Sequence, residues 1–436
     1  MRKNRARVKR VDGGGKGAYF PAMPDARLFL GMDLGTSGAR AVVIDEGGAV
    51  RAHASAALSD FGANPRSPAL WRRTAFAALD GALAQVAPAD IAALAVDGTS
   101  GTLLALDAGG EPLGDALMYD DRAASARIDA VAPPESAARG PTSGLAKAFA
   151  LAARGPRRIV HQADWIASLF SGRWVSDANN ALKTGYDPAL GVWPDWIAAT
   201  GFDMNLLPQV LAPGAGVGPV TRAAAARFGL SGDAVVVAGT TDGCASFLAT
   251  GAREIGDGVS ALGTTLTIKQ LAERPIFAPE YGVYSHKIRG LWLVGGASNS
   301  GGAALLAHFS VAEIDALTPR LKPDEPTGLD YYPLARPGER FPHADPALPP
   351  RVSPRPDDPA LFLQGLLEGI ADIEALAYLR LRELGGPGLR SVRSVGGGAR
   401  NAAWTHIRAR RLGAPMPPAA QEEAAYGAAL LARDGA

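Results

Sequence analysis

The sequence contains a single cysteine, Cys244, among its 436 residues. One cysteine excludes an internal disulfide framework and any zinc or iron–sulfur site built from several cysteines. It fits a reducing compartment, and we expect a cytoplasmic protein. No uninterrupted apolar run reaches the roughly 18 residues that a membrane span requires. Charged residues make up 20% and apolar residues 47% of the chain, which is typical of a globular protein rather than a disordered one.

Basic residues are concentrated at the start of the chain. Residues 1–10 contain six Lys and Arg and no acidic residue, and the charges of residues 11–27 cancel. The formal charge of +1 therefore leaves −5 for the rest of the chain. Because phosphate-backbone binding needs clustered Lys and Arg on the folded surface, an acidic body argues against nucleic acid as the main partner. We expect residues 1–27 to be a basic, disordered tail. RNA binding, binding to an anionic membrane and a targeting role are the alternatives.

Short apolar segments alternate with amphipathic helical patterns along the body. Residues 28–32, 91–96 and 234–238 are typical of buried strands, and helical patterns begin near Ser67 and at Pro359. This alternation predicts an α/β fold.

A weak internal repeat indicates two related domains. A strand, a turn with Gly-Thr and a second strand occur around Gly35 and again around Gly263. We expect one domain over residues 28–250 and another over residues 251–436.

Asp33 lies at the end of the first strand, before the turn Gly35-Thr36-Ser37. Such a turn offers backbone N–H groups and hydroxyls, including that of Thr36, to phosphate oxygens. A carboxylate at this place can hold Mg²⁺ or bind a sugar hydroxyl. The alternative is a turn with a locally hydrogen-bonded aspartate.

Asp242 follows the strand at 234–238 and precedes an Ala-rich helix. An ionised aspartate there can accept a proton from a substrate hydroxyl. The structural alternative is a helix N-cap.

Two glycine-rich segments complete the set of candidate sites. The run Gly396-Gly397-Gly398 follows a short strand and precedes a helix near Asn401, which suits a close approach of the backbone to phosphate. A dinucleotide site is the rival interpretation, although Asn401 stands where its third glycine belongs. Residues 296–302, starting at Gly296, form a further glycine loop.

Lysine is scarce in the body of the chain. Only Lys147, Lys183, Lys269, Lys287 and Lys322 follow residue 16. This scarcity favours a phosphate site built from backbone N–H groups and a metal ion over one built from lysines.

Taken together, these segments resemble the FGGY family of carbohydrate kinases, within the actin-like, ribonuclease-H-like ATPases. The resemblance runs in the family order from Leu28 to about Ala432. The segments that carry it are Asp33-Leu34-Gly35-Thr36, Gly239-Thr240-Thr241-Asp242, Gly263-Thr264-Thr265, residues 295–302, Leu367-Glu368-Gly369-Ile370, residues 396–401, and Glu423 with Gly427-Ala428-Ala429.

Within the family, the chain is most similar to the compact D-ribulose kinases of cyanobacteria and plants. The similar stretches are residues 97–102, residues 162–165, Tyr284-Ser285-His286-Lys287 and residues 328–333.

The resemblance implies a fold of two ribonuclease-H-like domains around a central cleft, with ATP as phosphoryl donor and Mg²⁺ as cofactor. It also implies the site residues. Asp242 would be the catalytic base on the sugar, Asp33 would lie between sugar and Mg²⁺, and Ser100 would contact the sugar. The terminal phosphates would be held by Gly263, Thr264 and Thr265. The rest of the nucleotide would be contacted by Thr36, Gly296, Gly397 and Asn401.

One segment departs from the family pattern. Many members have an aromatic-x-Asp-x-Arg sugar motif, whereas Tyr119-Asp120-Asp121-Arg122 has its arginine one position early. No sugar role is therefore carried over to Asp121 or Arg122.

The leading hypothesis is an ATP- and Mg²⁺-dependent kinase that converts D-ribulose to D-ribulose 5-phosphate, as a monomer or homodimer with no nucleic-acid or membrane partner. The alternatives are a kinase for D-xylulose or another sugar or polyol, and a degenerate kinase that acts as a nucleotide-switched scaffold. An NAD-dependent oxidoreductase is a third possibility at residues 396–398.

Overall fold

The computed structural model describes residues 27–436, so the tail predicted for residues 1–27 lies outside the described residues except for Arg27. The strands are β1 (Leu28–Leu34), β2 (Gly38–Asp45), β3 (Val50–Ala57), β4 (Ile91–Gly98), β5 (Leu103–Leu106), β6 (Arg158–His161), β7 (Val175–Asp177), β8 (Gln209–Leu211), β9 (Gly216–Pro219), β10 (Val235–Val237), β11 (Thr240–Thr241), β12 (Asp257–Leu262), β13 (Leu266–Ala272), β14 (Tyr284–Ile288), β15 (Leu291–Ala297) and β16 (Ser391–Val395).

The α-helices lie between and after these strands. They are α1 (Pro68–Leu83), α2 (Ala126–Asp129), α3 (Gly144–Ala152), α4 (Gln162–Ser171), α5 (Ala178–Ala181), α6 (Trp196–Ala199), α7 (Arg222–Phe228), α8 (Asp242–Ala249), α9 (Gly302–Leu306), α10 (Val311–Leu317), α11 (Pro359–Glu383), α12 (Ala402–Leu412) and α13 (Ala424–Asp434).

Two mixed sheets organise the chain. The first has the strand order β3-β2-β1-β4-β10-β9, with β11 also paired to β4, and the second has the order β14-β15-β13-β12-β16. In each sheet a hairpin, β1–β2 or β12–β13, is antiparallel, and its first strand is also parallel to a later strand, β4 or β16. The repeat predicted around Gly35 and Gly263 therefore corresponds to two equivalent hairpins in two sheets of related topology.

The predicted strands and helices are confirmed with small shifts at their ends. The longest helix, α11, begins where the Asp358 side chain accepts a hydrogen bond from the Ala360 N–H at 3.1 Å, with Pro359 at its first position. The last helix begins at Ala424. The helix after Thr241 has Asp242 as its first residue, so the alternative interpretation of Asp242 as an N-cap is wrong: Thr241 occupies that position.

An apolar cluster joins the two sheets. It combines Phe29 of β1 with Phe247 of α8 and Leu293 of β15, all buried. Because burial of apolar surface is the main stabilising contribution, this contact fixes one end of the space between the sheets. The strand ends that carry the candidate site residues border the remainder of that space.

Helix α13 returns from the end of the chain to the first sheet, where it packs on β1 and on α8. Two glycines permit this approach. A Cβ atom on Gly31 would lie 1.9 Å from the Ala425 carbonyl oxygen, and one on Gly427 would lie 1.9 Å from the Ala245 carbonyl oxygen. The C-terminal segment is therefore not confined to the second sheet.

The Gly31→Ala variant should be less stable by about 1–3 kcal/mol or more, because the added methyl group forces α13 away from β1. Chemical denaturation of the purified variant measures this loss. Gly232→Ala is the matched control, since no atom lies within 4 Å of a Cβ built there. Equal stabilities of the two variants would contradict the close packing of α13.

Candidate active site

Three carboxylates meet at one edge of the first sheet. In the parallel pairing of β1 with β4, Asp33 lies opposite Asp97, and Asp97 lies opposite Thr240 of β11, two residues before Asp242. The carboxyl ends of parallel strands share one edge of a sheet, so these side chains gather there. The structure thus brings Asp33 and Asp242 together, as the sequence analysis expected, and adds Asp97.

Asp97 is a site residue that the sequence analysis missed. It is fully buried, and within the described chain neither of its carboxylate oxygens has a hydrogen-bond partner. Burial raises the pKa of the Asp97 carboxyl well above its usual value, and the neighbouring Asp33 and Asp242 raise it further. Its position at the end of a buried strand, like that of Asp33, was the available signal.

Asp33 is buried and forms an ion pair with Arg40 of β2, with 3.0 Å between Arg40 Nη1 and Asp33 Oδ2. The turn that follows is held by a hydrogen bond from the Gly35 N–H to the Gly38 carbonyl oxygen. Thr36 lies at its exposed tip. The hydroxyl and N–H of Thr36 are therefore accessible, as a phosphate contact would require.

Asp242 is partly buried at the start of α8, where its Oδ1 accepts the Gly243 N–H at 2.6 Å. Burial raises the pKa of the Asp242 carboxyl, whereas this hydrogen bond and the charges of Lys269 and Lys183 lower it. A carboxylate with a raised pKa is a better general base near neutral pH than a fully solvated one.

Ser100 and Gln162 carry further polar atoms that lack partners within residues 27–436. These atoms are Ser100 Oγ and Gln162 Nε2, both buried. The other end of the Gln162 amide accepts hydrogen bonds from Thr99, at 3.1 Å from its N–H and 2.8 Å from its hydroxyl. Buried polar atoms normally have partners, so these two indicate a bound polar molecule or water next to the end of β4.

Three of the five lysines of the body lie around this site. Lys269 Nζ donates to the Gly243 carbonyl oxygen at 2.7 Å. Lys183 is close enough to Asp242 to lower its pKa, and Lys147 is buried with Nζ 2.7 Å from the Gly101 carbonyl oxygen. Burial lowers the pKa of the Lys147 ammonium to about 8, and the charge of Lys183 acts in the same direction. Three of the few lysines of the body are therefore near the site, and a phosphate site built from backbone N–H groups and a metal ion stays a prediction.

The turn Gly263-Thr264-Thr265 connects β12 to β13 in the second sheet. The Gly302 N–H donates to the Gly263 carbonyl oxygen at 2.9 Å, and the Ala303 N–H donates to the Thr264 carbonyl oxygen at 3.0 Å. Gly263 and Thr264 are exposed and Thr265 is half-buried. The turn is thus anchored through its carbonyl groups, which leaves its hydroxyls accessible.

The glycines of the second sheet have different surroundings. A Cβ on Gly296 would lie 2.7 Å from the Phe341 ring, and one on Gly398 would lie 2.4 Å from the Trp404 ring, so both permit side-chain packing. A Cβ on Gly397 would meet only the Arg400 guanidinium, at 3.9 Å. Gly397 is therefore the position where a ligand can approach the backbone, whereas a nucleotide contact at Gly296 stays a prediction.

Asn401 caps helix α12. Its Oδ1 accepts the Trp404 N–H at 3.0 Å, and its Nδ2 donates to Thr318 Oγ1 at 3.0 Å. Its side chain therefore fixes the direction of α12 after the Gly397 turn, and its predicted contact with the nucleotide stays a prediction. No strand follows β16 within the described chain, so the βαβ unit of a dinucleotide site is not formed there.

The Gly397→Val variant should raise the KM for ATP by roughly 10–100-fold, because the new side chain occupies the space that phosphate oxygens need and charged hydrogen bonds are lost. Its thermal unfolding temperature should stay close to that of the wild-type protein. Steady-state kinetics with varied ATP measures the effect. An unchanged KM for ATP would show that the nucleotide lies elsewhere.

Asp121 has a structural role in the segment that departs from the family pattern. Its Oδ2 accepts the Met118 N–H at 2.7 Å, and its Oδ1 lies 2.6 Å from Arg66 Nη2.

Cys244 is fully buried and burial raises its thiol pKa, so it is a packed thiol rather than a nucleophile.

The aspartate cluster fits Mg²⁺ that arrives with ATP. Among residues 27–436, no group of three or more His, Cys, Asp or Glu side chains forms a metal site by itself. Mg²⁺ in kinases keeps several waters and binds one or two carboxylates plus substrate phosphates, so a protein cage is not needed. The unpartnered oxygens of Asp97 and the adjoining Asp33 carboxylate are the oxygen ligands such an ion uses.

Solved structures share this fold over almost the whole chain. The xylulose (“xyloylose”) kinase from Brucella ovis superposes with a TM-score of 0.83 at 24% identity, covering 94% of this chain and 91% of the other. The xylulose kinase from Rhodospirillum rubrum gives a TM-score of 0.78 at 25% identity, covering 93% and 89%. The fold is therefore α/β, with two ribonuclease-H-like, actin-like ATPase domains around a central cleft, as predicted.

A search of the helices between residues 27 and 436 finds none with the length and hydropathy to pass through a lipid bilayer.

Sequence relatives and family models both indicate a carbohydrate kinase. The xylulose kinase from Streptomyces coelicolor is 28% identical, covering 93% of this chain and 87% of its own length, and that from Klebsiella pneumoniae is 25% identical, covering 73% and 71%. The model of the N-terminal domain of the FGGY family of carbohydrate kinases matches residues 28–137, and that of the C-terminal domain matches residues 258–433. The chain belongs to the FGGY family of carbohydrate kinases.

Proposed function

We propose that this enzyme transfers the terminal phosphoryl group of ATP to the terminal hydroxyl of a ketopentose, with D-ribulose as the first candidate and D-ribulose 5-phosphate as product. The observation that carries the proposal is the position of Asp242. It lies near Asp33 and Asp97, close to buried polar atoms that lack partners within the described chain and to lysines that can neutralise phosphate. The stretches similar to D-ribulose kinases, such as residues 97–102, favour D-ribulose.

Asp242 acts as the general base in this proposal. Its carboxylate accepts the proton of the attacking hydroxyl, and the Gly243 N–H at 2.6 Å holds the carboxylate in place. Such a base contributes about 10²–10⁴-fold to the rate. Ser100 Oγ and Gln162 Nε2, which have no partner in the described chain, bind other hydroxyls of the sugar.

The second domain holds the nucleotide. The Gly263-Thr264-Thr265 turn and the Thr36 turn offer hydroxyls and N–H groups to the phosphates, and the backbone at Gly397 allows close approach. Lys183 and Lys269 balance the negative charge that gathers around Asp242 during transfer. Closure of the two domains excludes water from the reacting groups.

Asp33 and Asp97 would hold Mg²⁺, either directly or through its water ligands. When bound, Mg²⁺ supplies positive charge to the phosphate oxygens and helps to orient them. The ion pair with Arg40, at 3.0 Å, fixes the direction of the Asp33 carboxylate.

D-Xylulose is the second candidate substrate, because the relatives from Streptomyces coelicolor and Klebsiella pneumoniae are xylulose kinases. The two ketopentoses differ only in configuration at C3, and one misplaced hydroxyl in a site built for hydrogen bonding can cost a large factor in kcat/KM.

A panel of sugars tests the proposal. ADP release is measured with D-ribulose, D-xylulose, other pentuloses, pentitols, glycerol and hexoses, and the position of the phosphate in each product is determined by NMR. We expect the highest kcat/KM with D-ribulose and phosphate on O5. A higher kcat/KM with D-xylulose overturns the first candidate in favour of the second. If no sugar raises ATP turnover, the kinase proposal fails and the degenerate, nucleotide-switched scaffold takes its place.

A further inference from the structure

A cavity of about 200 Å³ lies on the second sheet. Lys269, Tyr281, Tyr284, His286 and Arg340 are among its lining residues. Lys269 connects it to the first domain, because its ammonium donates to the carbonyl oxygen of Gly243, the residue after Asp242. None of the roles proposed above uses the aromatic residues of this cavity.

His286 is the polar side chain that lines this cavity and is almost completely buried. It lies in β14 opposite Leu293 of β15, with 7% of its surface exposed. Its ring packs edge-on against Tyr284 with 5.3 Å between centroids. No residue of the part of the chain that the structure describes forms a hydrogen bond with the ring.

The surroundings of His286 keep its imidazole uncharged. Burial lowers its pKa well below the usual value, and the positive charges of Lys269 and Lys183 lower it further. A neutral imidazole has one N–H donor and one nitrogen acceptor. Neither ring nitrogen is among the fully buried atoms that lack a partner within residues 27–436, so both stay accessible. A ligand in the cavity that can donate and accept hydrogen bonds can therefore pair with both. A hydroxyl group does both, whereas a phosphate oxygen only accepts.

The backbone next to His286 is held in place by the side chain of Asn179, which hydrogen-bonds to Lys287. The side chain of Asn179 donates to the Lys287 carbonyl oxygen at 2.9 Å and accepts the Lys287 N–H at 2.8 Å. The same amide donates to Thr240 Oγ1 at 2.9 Å, two residues before Asp242. One side chain therefore ties the backbone next to His286 to the segment that carries the catalytic base.

Lys183 is near both Asp242 and His286. Its charge lowers the pKa of Asp242 on one side and of His286 on the other, and its Cδ would lie 3.4 Å from a Cβ on Gly101, the residue after Ser100. A small polyhydroxylated molecule with one end at Asp242 can therefore extend towards His286.

We propose that His286 is a specificity-determining residue that binds a hydroxyl of the sugar from the second domain, opposite the Ser100 and Gln162 contacts of the first. This inference rests on the proposed ketopentose kinase activity. Sugar binding then joins both domains, since Asp242 and Ser100 belong to one sheet and His286 to the other.

The test compares His286→Leu, which removes both hydrogen-bonding atoms, with His286→Gln, which keeps a donor and an acceptor. We expect His286→Leu to raise the KM for the ketopentose by on the order of tenfold, the effect of one lost hydrogen bond to a hydroxyl. The KM for ATP should change by less than about twofold. The ratio of kcat/KM for D-ribulose over D-xylulose should fall, and His286→Gln should recover most of both losses.

His308→Leu is the matched control, because His308 lies beside Phe362 of α11 and outside the cavity. It should leave the sugar KM unchanged. Thermal unfolding checks that each variant is folded. If His286→Leu does not fold, His286→Phe takes its place, because it keeps an aromatic ring and removes both hydrogen-bonding atoms. An unchanged sugar KM and an unchanged ratio between the two ketopentoses in that variant overturn the role of His286.

Two failures are distinguishable. A wild-type enzyme that phosphorylates a ketopentose, together with a His286→Leu variant whose sugar KM and substrate ratio are unchanged, overturns the role of His286 and leaves the proposed function intact. A wild-type enzyme that phosphorylates no ketopentose overturns the proposed function, and the role of His286 falls with it.

Discussion

The Asp242→Asn variant should phosphorylate sugar roughly 10²–10⁴-fold more slowly than the wild-type enzyme, because the amide cannot accept the proton of the attacking hydroxyl. The substitution keeps the shape of the side chain, and the amide oxygen can still accept the Gly243 N–H that now bonds Asp242 Oδ1 at 2.6 Å. The KM for ATP should therefore stay within about twofold, since a group that acts only in the transition state changes kcat rather than ground-state binding.

The measurement is sugar-dependent ADP release at saturating ATP, with folding checked by thermal unfolding. Asp233→Asn provides the control. Asp233 is an exposed loop aspartate that precedes α8 in the chain, and its side chain makes no hydrogen bond within residues 27–436. Wild-type turnover in folded Asp242→Asn protein would remove Asp242 from the chemistry and leave the family membership untouched.

The Arg408→Met variant should lose about 3–5 kcal/mol of stability, because it leaves a buried carboxylate without its partner. Arg408 and Glu374 are 0% and 1% exposed. Arg408 Nε lies 2.6 Å from Glu374 Oε2, and Arg408 Nη2 lies 2.6 Å from Oε1, which is a bidentate pair. Arg408 also donates to Ser394 Oγ at 2.7 Å, so one guanidinium joins α12 to α11 and β16.

Urea denaturation of Arg408→Met measures the loss. Arg320→Met is the control: its ion pair with Asp358 is 55% and 50% exposed, and its removal should cost less than about 1 kcal/mol. The double variant Glu374→Met with Arg408→Met should be more stable than Arg408→Met alone, because no charge then remains buried and unpaired. A single variant as stable as the wild-type protein would contradict the buried pair.

Asp242→Asn and Arg408→Met test different parts of the proposed active site. Asp242 belongs to the first sheet, whereas Arg408 fixes the helix that follows the Gly397 turn in the second. We expect Asp242→Asn to change the rate and leave stability nearly unchanged. The main effect of Arg408→Met should be a loss of stability. Any change in the KM for ATP should come only from a shift in the position of α12.

The candidate site could be predicted in part, because two of its aspartates follow strands that the local pattern identifies. Asp33 and Asp242 each come after a short apolar run, and the register of β1, β4 and β11 brings those strand ends to one edge. Asp97 has the same local pattern, yet only its burial without a hydrogen-bond partner among residues 27–436 distinguishes it from an ordinary strand-end residue.

The lysines show why the rest could not be predicted. Lys183 and Lys269 are 86 positions apart in sequence, and nothing in their local sequence indicates that both influence Asp242. The sequence contains few lysines, which favoured a phosphate site without them. The effect of Lys183 and Lys269 on Asp242, however, depends on where β13 and the segment after α5 pack. The same holds for His286, whose hydrogen-bonding atoms matter only because β14 faces the cleft.

Local sequence is enough to infer the alternation of strands and helices, the two equivalent hairpins, the glycine turns and the family, because periodicity, turn residues and motif order act over short stretches of chain. Three features become visible only in the folded chain. Helix α13 returns to the first sheet, Asp97 is buried near Asp33 and Asp242 without a hydrogen-bond partner among residues 27–436, and Lys183 and Lys269 lie near Asp242. These features arise from contacts between segments tens to hundreds of residues apart, such as Gly31 with Ala425, and the free energy of such contacts depends on packing and burial that no local pattern encodes.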